Sequence, residues 1–182
     1  MSSNRDLLRT AMKRSASALK ESGPRFALAG SYALWVHGAP EPEHDVDLVV
    51  AEPNADQAAD VLAAAGFDVE RTPEDWLLKA HSDGVVVDVL HRLNGVPVDD
   101  ALLDRADEHE IFGIRLPVLP PTYVMTVKLR SLTEHYCDFA TLLPAARAVR
   151  EQLDWQRIRD DTAASPFAEA FLLLTDRLSI SS

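Results

Sequence analysis

The sequence predicts an α/β (α+β) fold, in which helices flank a mixed β-sheet and a small helical unit follows at the C-terminal end. Apolar strand-like runs alternate with helical patterns up to about residue 120. A tight-turn dipeptide between two of these runs indicates that part of the sheet is antiparallel. Beyond residue 120 the spacing of apolar residues is close to helical, and few strand-forming residues remain. We therefore expect a core over residues 1–120 and a C-terminal helical unit over residues 121–182.

The first elements are a helix, a strand, a short helix and a second strand. Residues 5–22 carry apolar side chains at helical spacing, and a Gly-Pro pair ends this helix. A strand is predicted over residues 25–29, and after the Gly30-Ser31 turn the run "YALWVHG" predicts a short helix. The proline-bearing loop "APEPEH" then leads into an apolar strand over Asp45–Val50.

The later elements complete the sheet and begin the helical unit. The stretch "NADQAADVLAAAGF" predicts a helix with Asn54 as its N-cap and Gly66 as its C-cap. Strands are predicted over Trp76–Ala80 and Val85–Leu90, and the Asp83-Gly84 pair between them is typical of a tight hairpin. The consecutive prolines of "VLPPTYV" stop a strand and start a helix. The remaining predicted helices are Val124–Phe139, Leu142–Leu153 and Phe167–Leu178.

The composition is that of a cytoplasmic protein with an ordinary core. The chain has 182 residues, of which 47% are hydrophobic. No apolar run approaches the roughly 20 residues that a membrane-spanning helix needs, and the N-terminus lacks the apolar stretch of a signal peptide. The single cysteine, Cys137, cannot form an internal disulfide, which agrees with a reducing compartment. We expect no contact with a membrane.

The net charge of −11 is unevenly distributed along the chain. Residues 1–20 hold five basic and one acidic residue, whereas residues 21–121 hold six basic and twenty acidic residues. The first helix carries a basic stripe beside its apolar face, and this stripe is a candidate for binding RNA phosphates. Its members are Arg5, Arg9, Lys13 and Lys20. The acidic middle segment would instead suit a cationic small molecule.

Three aspartates in apolar strands are the candidate catalytic residues. Asp45 and Asp47 lie two residues apart, so a strand places both side chains on one face, where their charges repel. Asp88 interrupts the apolar run "GVVVDVLHR", where an unpaired charge would be costly. Hard cations such as Mg²⁺ or Mn²⁺ prefer oxygen ligands, so a metal held by all three carboxylates would offset the repulsion.

The Gly30-Ser31 turn is a candidate phosphate-binding site. Glycine allows the backbone to approach a phosphate closely, and the N–H groups of the following helix supply donors. The hydroxyl of Ser31 adds another donor. The sequence contains no P-loop, no dinucleotide-binding glycine motif, no nucleophile elbow and no zinc pattern.

These motifs resemble the signature of the DNA polymerase β-like nucleotidyltransferase superfamily. That signature is a Gly-Ser or Gly-Gly turn, a spacer of about nine to thirteen residues and Asp-x-Asp in an apolar strand. This chain has "GS", thirteen residues and then "DVDL". The resemblance implies that Asp45, Asp47 and Asp88 hold the metal and that Asp88 orients or deprotonates the acceptor hydroxyl.

The resemblance continues into the helical tail "VMTVKLRSLTEHYCDFATLL". Small bacterial members have a lysine and a downstream aspartate that face the cleft, and Lys128 and Asp138 are the matching positions. The implied reaction moves a nucleoside monophosphate from an NTP to an acceptor hydroxyl and releases pyrophosphate. Gly30, Ser31, Lys128 and Asp138 would then bind the nucleotide.

The acceptor is the open question. Small members that this chain resembles include toxins of toxin–antitoxin systems of the AbiEii/MenT type, which modify the 3′ end of tRNA, and this resemblance implies a cognate antitoxin as partner. The basic stripe favours RNA as the acceptor. The alternative acceptor is a cationic small molecule such as an aminoglycoside antibiotic, which would suit the acidic middle segment. A second alternative is a non-catalytic interaction domain on the same fold, against which the presence of all three carboxylates argues.

Overall fold

The chain folds into a seven-stranded mixed sheet with flanking helices and a helical C-terminal part, as expected from the sequence. The computed structural model describes residues 3–181. The helices are α1 Asn4–Ser22, α2 Gly30–Val36, α3 Ala55–Ala64, α4 Asp100–Leu103, α5 Pro121–Arg130, α6 Phe139–Val149, α7 Trp155–Thr162 and α8 Pro166–Arg177. The strands are β1 Phe26–Leu28, β2 Asp45–Val50, β3 Asp68–Arg71, β4 Leu77–Ser82, β5 Val85–Leu90, β6 Arg92–Leu93, β7 Val96–Pro97, β8 Asp107–Ile111 and β9 Ile114–Val118.

The strand order of the sheet is β3-β4-β5-β2-β1-β9-β8. β2 runs parallel to β5, and β1 runs parallel to β9, whereas the other neighbours are antiparallel. β6 and β7 form a separate two-stranded hairpin. This order places β2 and β5 side by side near the centre of the sheet, with β3 and β8 at its two edges.

Alternation along the central strands gives the sheet one apolar face and one face with carboxylates. Val46 and Leu48 of β2 are fully buried, as are Val87 and Val89 of β5. The residues between them are only partly buried and point to the opposite face, because successive side chains in a strand alternate. Helix α1 packs on the sheet through its own apolar stripe, which includes Leu8, and α3 packs beside it against α1, β3 and β4.

The C-terminal helices differ from the prediction in their boundaries, and α7 was not predicted. The predicted helix Val124–Phe139 ends at Arg130, and a connection leads to α6, whose N-cap is Asp138. The helical apolar spacing continues through Leu132, but the segment after it forms a turn closed by bridge bonds between Thr133 and Tyr136. Cys137, which we expected in a helix, is exposed in this connection.

Helices α5, α7 and α8 pack on one another, and α5 and α6 also contact α2. The C-terminal part is thereby joined to the helix that begins at the Gly30-Ser31 turn. No helix within residues 3–181 is both long enough and apolar enough to span a bilayer.

Candidate active site

The three candidate carboxylates converge at one place on the sheet. Asp47 of β2 and Asp88 of β5 are direct partners in the parallel register, and Asp45 lies one pleat earlier on the same face. One carboxylate oxygen from each of the three lies within 4.8 Å of the others. Within residues 3–181 this is the only such cluster of potential metal ligands. Oxygen-only ligands of this kind suit Mg²⁺ or Mn²⁺.

The cluster is electrostatically costly without a cation. Burial of Asp47, together with the neighbouring Asp45 charge, raises the pKa of its carboxyl from 3.8 to about 7. The pKa of Asp88 is also raised, chiefly by burial, although a hydrogen bond from Lys79 opposes the shift. Desolvated carboxylates that repel one another favour protonation or a bound cation. The donor set therefore fits a divalent metal.

The glycine turn lies directly against the carboxylates. Gly30 has a φ of +57°, in the left-handed region that glycine adopts without strain. A Cβ at this position would overlap the carboxylate of Asp47. The neighbouring N–H of Ala29 donates to the backbone oxygen of Asp47 at 2.9 Å, which fixes the turn to β2. Glycine is therefore required here both for its backbone conformation and for its small size.

Lys128 and Ser31 form the positive side of the site. The Lys128 ammonium, on α5, donates to the Ser31 hydroxyl at 2.9 Å. Its charge also lowers the pKa of Asp47, against the larger effect of burial. Lys128 thus connects the C-terminal helices to the glycine turn and brings a cation close to the carboxylates.

Asp138 reaches the same cleft but has a structural role of its own. Its carboxylate accepts from the Thr141 N–H at 3.2 Å and from the Thr141 hydroxyl at 2.5 Å, so it caps α6. These bonds hold the pKa of Asp138 below its usual range. A nucleotide-binding role for Asp138 stays a prediction from the sequence.

A cleft of about 400 Å³ lies between the sheet and the C-terminal helices. Gly30, Asp47, Lys128 and Asp138 line it together with mostly apolar side chains. The apolar lining is Ala29, Leu90, Leu93, Leu119, Tyr123, Val124, Val127, Leu132, Tyr136 and Leu142. A second pocket of about 280 Å³ adjoins it and shares Lys128, Thr141 and Leu142 with the first.

The basic stripe of α1 is largely engaged in contacts within the chain. Arg5 pairs with Glu43 at 2.5 Å, and Arg9 pairs with Glu41 at 2.6 Å. Lys20 donates to the backbone oxygen of Arg115 at 2.9 Å. Of the four, only Lys13 has no side-chain hydrogen bond or ion pair within residues 3–181.

Lys79 is a site residue that the sequence reasoning missed. It lies opposite Asp88 in the antiparallel β4–β5 pair, and its ammonium contacts the Asp88 carboxylate at 3.0 Å. This contact could have been predicted from the sequence, because a two-residue turn at Asp83-Gly84 fixes the hairpin register and pairs residue 79 with residue 88. Cross-strand partners of opposite charge attract, so Lys79 offsets part of the negative charge of the cluster.

A mixed sheet with three converging aspartates beside a glycine turn defines a nucleotidyltransferase of the DNA polymerase β-like superfamily. Residues 8–179 match the model of the family described as "Nucleotidyl transferase of unknown function (DUF2204)", and the chain belongs to this family. No functionally curated protein matches the chain.

Two solved structures share the fold at low sequence identity. The antibiotic-resistance factor ANT(2″)-Ia, in complex with adenylyl-2″-tobramycin, is 14% identical with a TM-score of 0.63, and the alignment covers 90% of this chain and 98% of that one. The lincosamide antibiotic adenylyltransferase LnuA, with lincomycin bound, is 13% identical with a TM-score of 0.54, over 75% of this chain and 94% of that one. At such identities the likeness is one of fold.

Proposed function

We propose that the protein moves a nucleoside monophosphate from an NTP to an acceptor hydroxyl and releases pyrophosphate. The observation that carries this proposal is the convergence of Asp45, Asp47 and Asp88 within 4.8 Å, next to a glycine turn. In this reaction the acceptor oxygen forms a bond to the α-phosphorus, the bond from that phosphorus to the bridging oxygen breaks, and the hydroxyl proton leaves.

Each group near the cluster has a role in this reaction. Asp45, Asp47 and Asp88 would hold Mg²⁺ or Mn²⁺, which would supply charge neutralisation at the phosphates and activation of the hydroxyl. Ser31 and Lys128, joined by a 2.9 Å hydrogen bond, would bind phosphate oxygens. Lys79 holds Asp88 through its Oδ1 at 3.0 Å, which leaves Oδ2 to orient the acceptor hydroxyl and accept its proton.

The acceptor that the sequence favours is the 3′ end of tRNA, as in a toxin with a cognate antitoxin. Its support is the basic stripe of α1, since phosphate contacts dominate nucleic-acid affinity. The pairing of Arg5 with Glu43 and of Arg9 with Glu41 weakens this support, because paired guanidinium groups have less charge to offer a phosphate. Lys13 is the stripe residue best placed to test it.

A small molecule is the second candidate acceptor, and the cleft favours it. Its volume of about 400 Å³ and its mainly apolar lining are typical of small-molecule sites. The solved structures with lincomycin and adenylyl-tobramycin support the same candidate through their fold.

The decisive experiment supplies each of the four labelled NTPs with Mg²⁺ and offers total RNA, purified tRNA and a panel of aminoglycosides and lincosamides as acceptors. The proposed reaction predicts label transfer to one acceptor class and pyrophosphate release, both of which Asp88→Asn abolishes. Labelling of tRNA that falls steeply with salt, and more steeply than in Lys13→Glu, identifies RNA as the acceptor. Labelling of an antibiotic alone identifies the small molecule, and no transfer with any acceptor contradicts the proposed class of reaction.

A further inference from the structure

A chain of contacts centred on Arg9 joins α1 to both segments that carry the candidate active site. The Arg9 guanidinium donates to both carboxylate oxygens of Glu41, at 2.7 and 2.6 Å. The same guanidinium lies over the ring of Phe112, 5.1 Å from its centroid. Phe112 stacks on Trp35 of α2, with ring centroids 5.4 Å apart. We call Arg9, Glu41, Phe112 and Trp35 the Arg9 brace.

The backbone of Phe112 is strained, which points to a role for its ring. Phe112 and Gly113 form the two-residue turn between the paired residues Ile111 and Ile114, and Phe112 has a φ of +50°. The other two-residue turns of this kind use Asp83-Gly84 and Asn94-Gly95, whose side chains tolerate such angles. A bulky residue with positive φ is a genuine outlier and persists where its surroundings hold it. Here the surroundings are Arg9 and Trp35.

Glu41 belongs to the loop of residues 39–44, which leads directly into Asp45. Only 12% of the Glu41 side chain is exposed, so without its partner the charge would be buried and unpaired. The hydrogen bond from Arg9 is the main reason that the pKa of Glu41 is lowered. Arg5 and Asn4 of the same helix contact Glu43, so α1 holds the loop at two points.

The loop also forms one wall of the second pocket. Pro40, Glu41, Pro42, Glu43 and His44 line this pocket of about 280 Å³ on one side. Ser31, Asp45 and Lys128 line it as well. A shift of the loop would therefore change the distance between Asp45 and the phosphate-binding side of the site.

We propose that Arg9 is a positioning residue: through the brace it fixes the loop of residues 39–44, and with it Asp45, relative to the glycine turn. The loop is attached through Glu41, and α2, which begins at Gly30, is attached through the stack of Trp35 on Phe112. This assignment differs from an RNA-binding role for Arg9, which would leave its guanidinium available to phosphates. The fixing of the loop is independent of the proposed function, and only its effect on transfer rests on that function.

Loss of the Arg9 brace should lower activity by about as much as the loss of other residues that orient metal ligands. Loss of such outer contacts lowers metal affinity or activity by about 10–100-fold. A loosened loop would lower the turnover number, because Asp45 would spend less time in place. It would change the KM for NTP less, because Ser31 and Lys128 remain bonded to each other.

The test compares Arg9→Glu, Glu41→Arg and the double variant that exchanges the two charges. Amide hydrogen exchange of peptides covering residues 39–45, in the metal-free full chain, reports directly on the loop. Each single variant should exchange faster than wild type, and the double variant should recover most of the protection because the ion pair forms again. Lys13→Glu is the matched control, since it makes the same charge change on the same helix, and it should leave this exchange unchanged.

Calorimetry with Mn²⁺ gives a second readout on the same proteins. The single variants should bind Mn²⁺ about 10–100-fold more weakly, and the double variant should bind it more tightly than either. If Arg9→Glu does not fold, Glu41→Gln removes the same ion pair with a smaller change and should show the same faster exchange. Wild-type exchange in that variant or in Arg9→Glu would overturn the proposal, and so would a double variant as mobile as the singles. If all variants and wild type fail to transfer nucleotide, the proposed function fails, while the exchange rates still decide the role of the brace.

Discussion

Replacing Asp47 with asparagine should abolish nucleotidyl transfer and at the same time stabilise the metal-free protein at pH 8. The carboxyl of Asp47 is partly buried beside Asp45, and its pKa is raised from 3.8 to about 7. The unfolded chain loses this proton near pH 4, whereas the folded protein keeps it up to about pH 7 because the pKa is raised there. Between about pH 4 and about pH 7 the folded state therefore binds more protons than the unfolded state. Stability therefore falls as the pH rises from about 4 to about 7 and is constant above that interval.

The size of the effect follows from the width of this interval. Each pH unit is worth about 1.4 kcal/mol for one proton, so the step from 3.8 to about 7 costs at most about 4 kcal/mol. Part of the Asp47 side chain remains open to the cleft, which reduces the cost through solvent screening. For a protein of this size, 1 kcal/mol corresponds to about 2–4 °C, so Asp47→Asn should raise the melting temperature at pH 8 by up to about 10 °C.

Thermal unfolding in EDTA at pH 5 and pH 8 measures this prediction. The advantage of Asp47→Asn over wild type should be small at pH 5 and should grow by pH 8. Asp60→Asn, which removes an exposed carboxylate from α3, is the control and should change stability by less than about 0.5 kcal/mol at either pH. A variant that is less stable than wild type at pH 8, or that still transfers nucleotide with Mg²⁺, would refute the reasoning.

The phosphate side, the glycine turn, the metal and the Phe112 hairpin each give a further prediction. Lys128→Ala should raise the KM for NTP by about 10–150-fold, since a charge-assisted bond contributes about 1.5–3 kcal/mol; unchanged steady-state kinetics would return Lys128 to a purely structural role. Gly30→Ala should remove activity and lower the melting temperature, because its Cβ would overlap Asp47; an active, equally stable variant would contradict this geometry. Mg²⁺ or Mn²⁺ added after EDTA should raise the melting temperature of wild type but not of Asp47→Asn, and an equal rise in both would place the ion elsewhere. Phe112→Asn should preserve or raise stability, because asparagine tolerates the turn, while exchange in residues 39–45 becomes faster; unchanged exchange in residues 39–45 would contradict the role of the ring.

The central part of the fold and the carboxylate cluster could be predicted because their signals are local. β2 begins and ends where the apolar run indicated, and the alternation within it places Asp45 and Asp47 on one face. Asp88 interrupts an equally clear apolar strand, and the structure pairs it with Asp47. That these two strands are neighbours was inferred from the chemistry, since two buried charges need a common partner.

The edge strands and the Arg9 brace could not be predicted from local patterns. β3 and β8 have the sequences "DVER" and "DEHEI", which lack apolar alternation because their outer sides face solvent. The partners of Arg9 lie 32 and 103 residues away, at Glu41 and Phe112. From the sequence alone, the basic stripe of α1 is equally compatible with a nucleic-acid-binding surface and with ion pairs to a distant acidic loop. Only the contacts in the folded structure distinguish these two roles.

The composition of β3 and β8 has a consequence for how molecules of this protein meet one another. A strand at the edge of a sheet exposes unpaired backbone groups, onto which the edge of another molecule can add. Both edges here present carboxylates to solvent, and like charges repel any second edge of the same kind. Five of the twenty acidic residues between positions 21 and 121 lie on these two strands, namely Asp68, Glu70, Asp107, Glu108 and Glu110. These five carboxylates therefore oppose edge-to-edge association of two sheets. Replacing them with neutral residues should promote self-association even with every residue of the cleft intact.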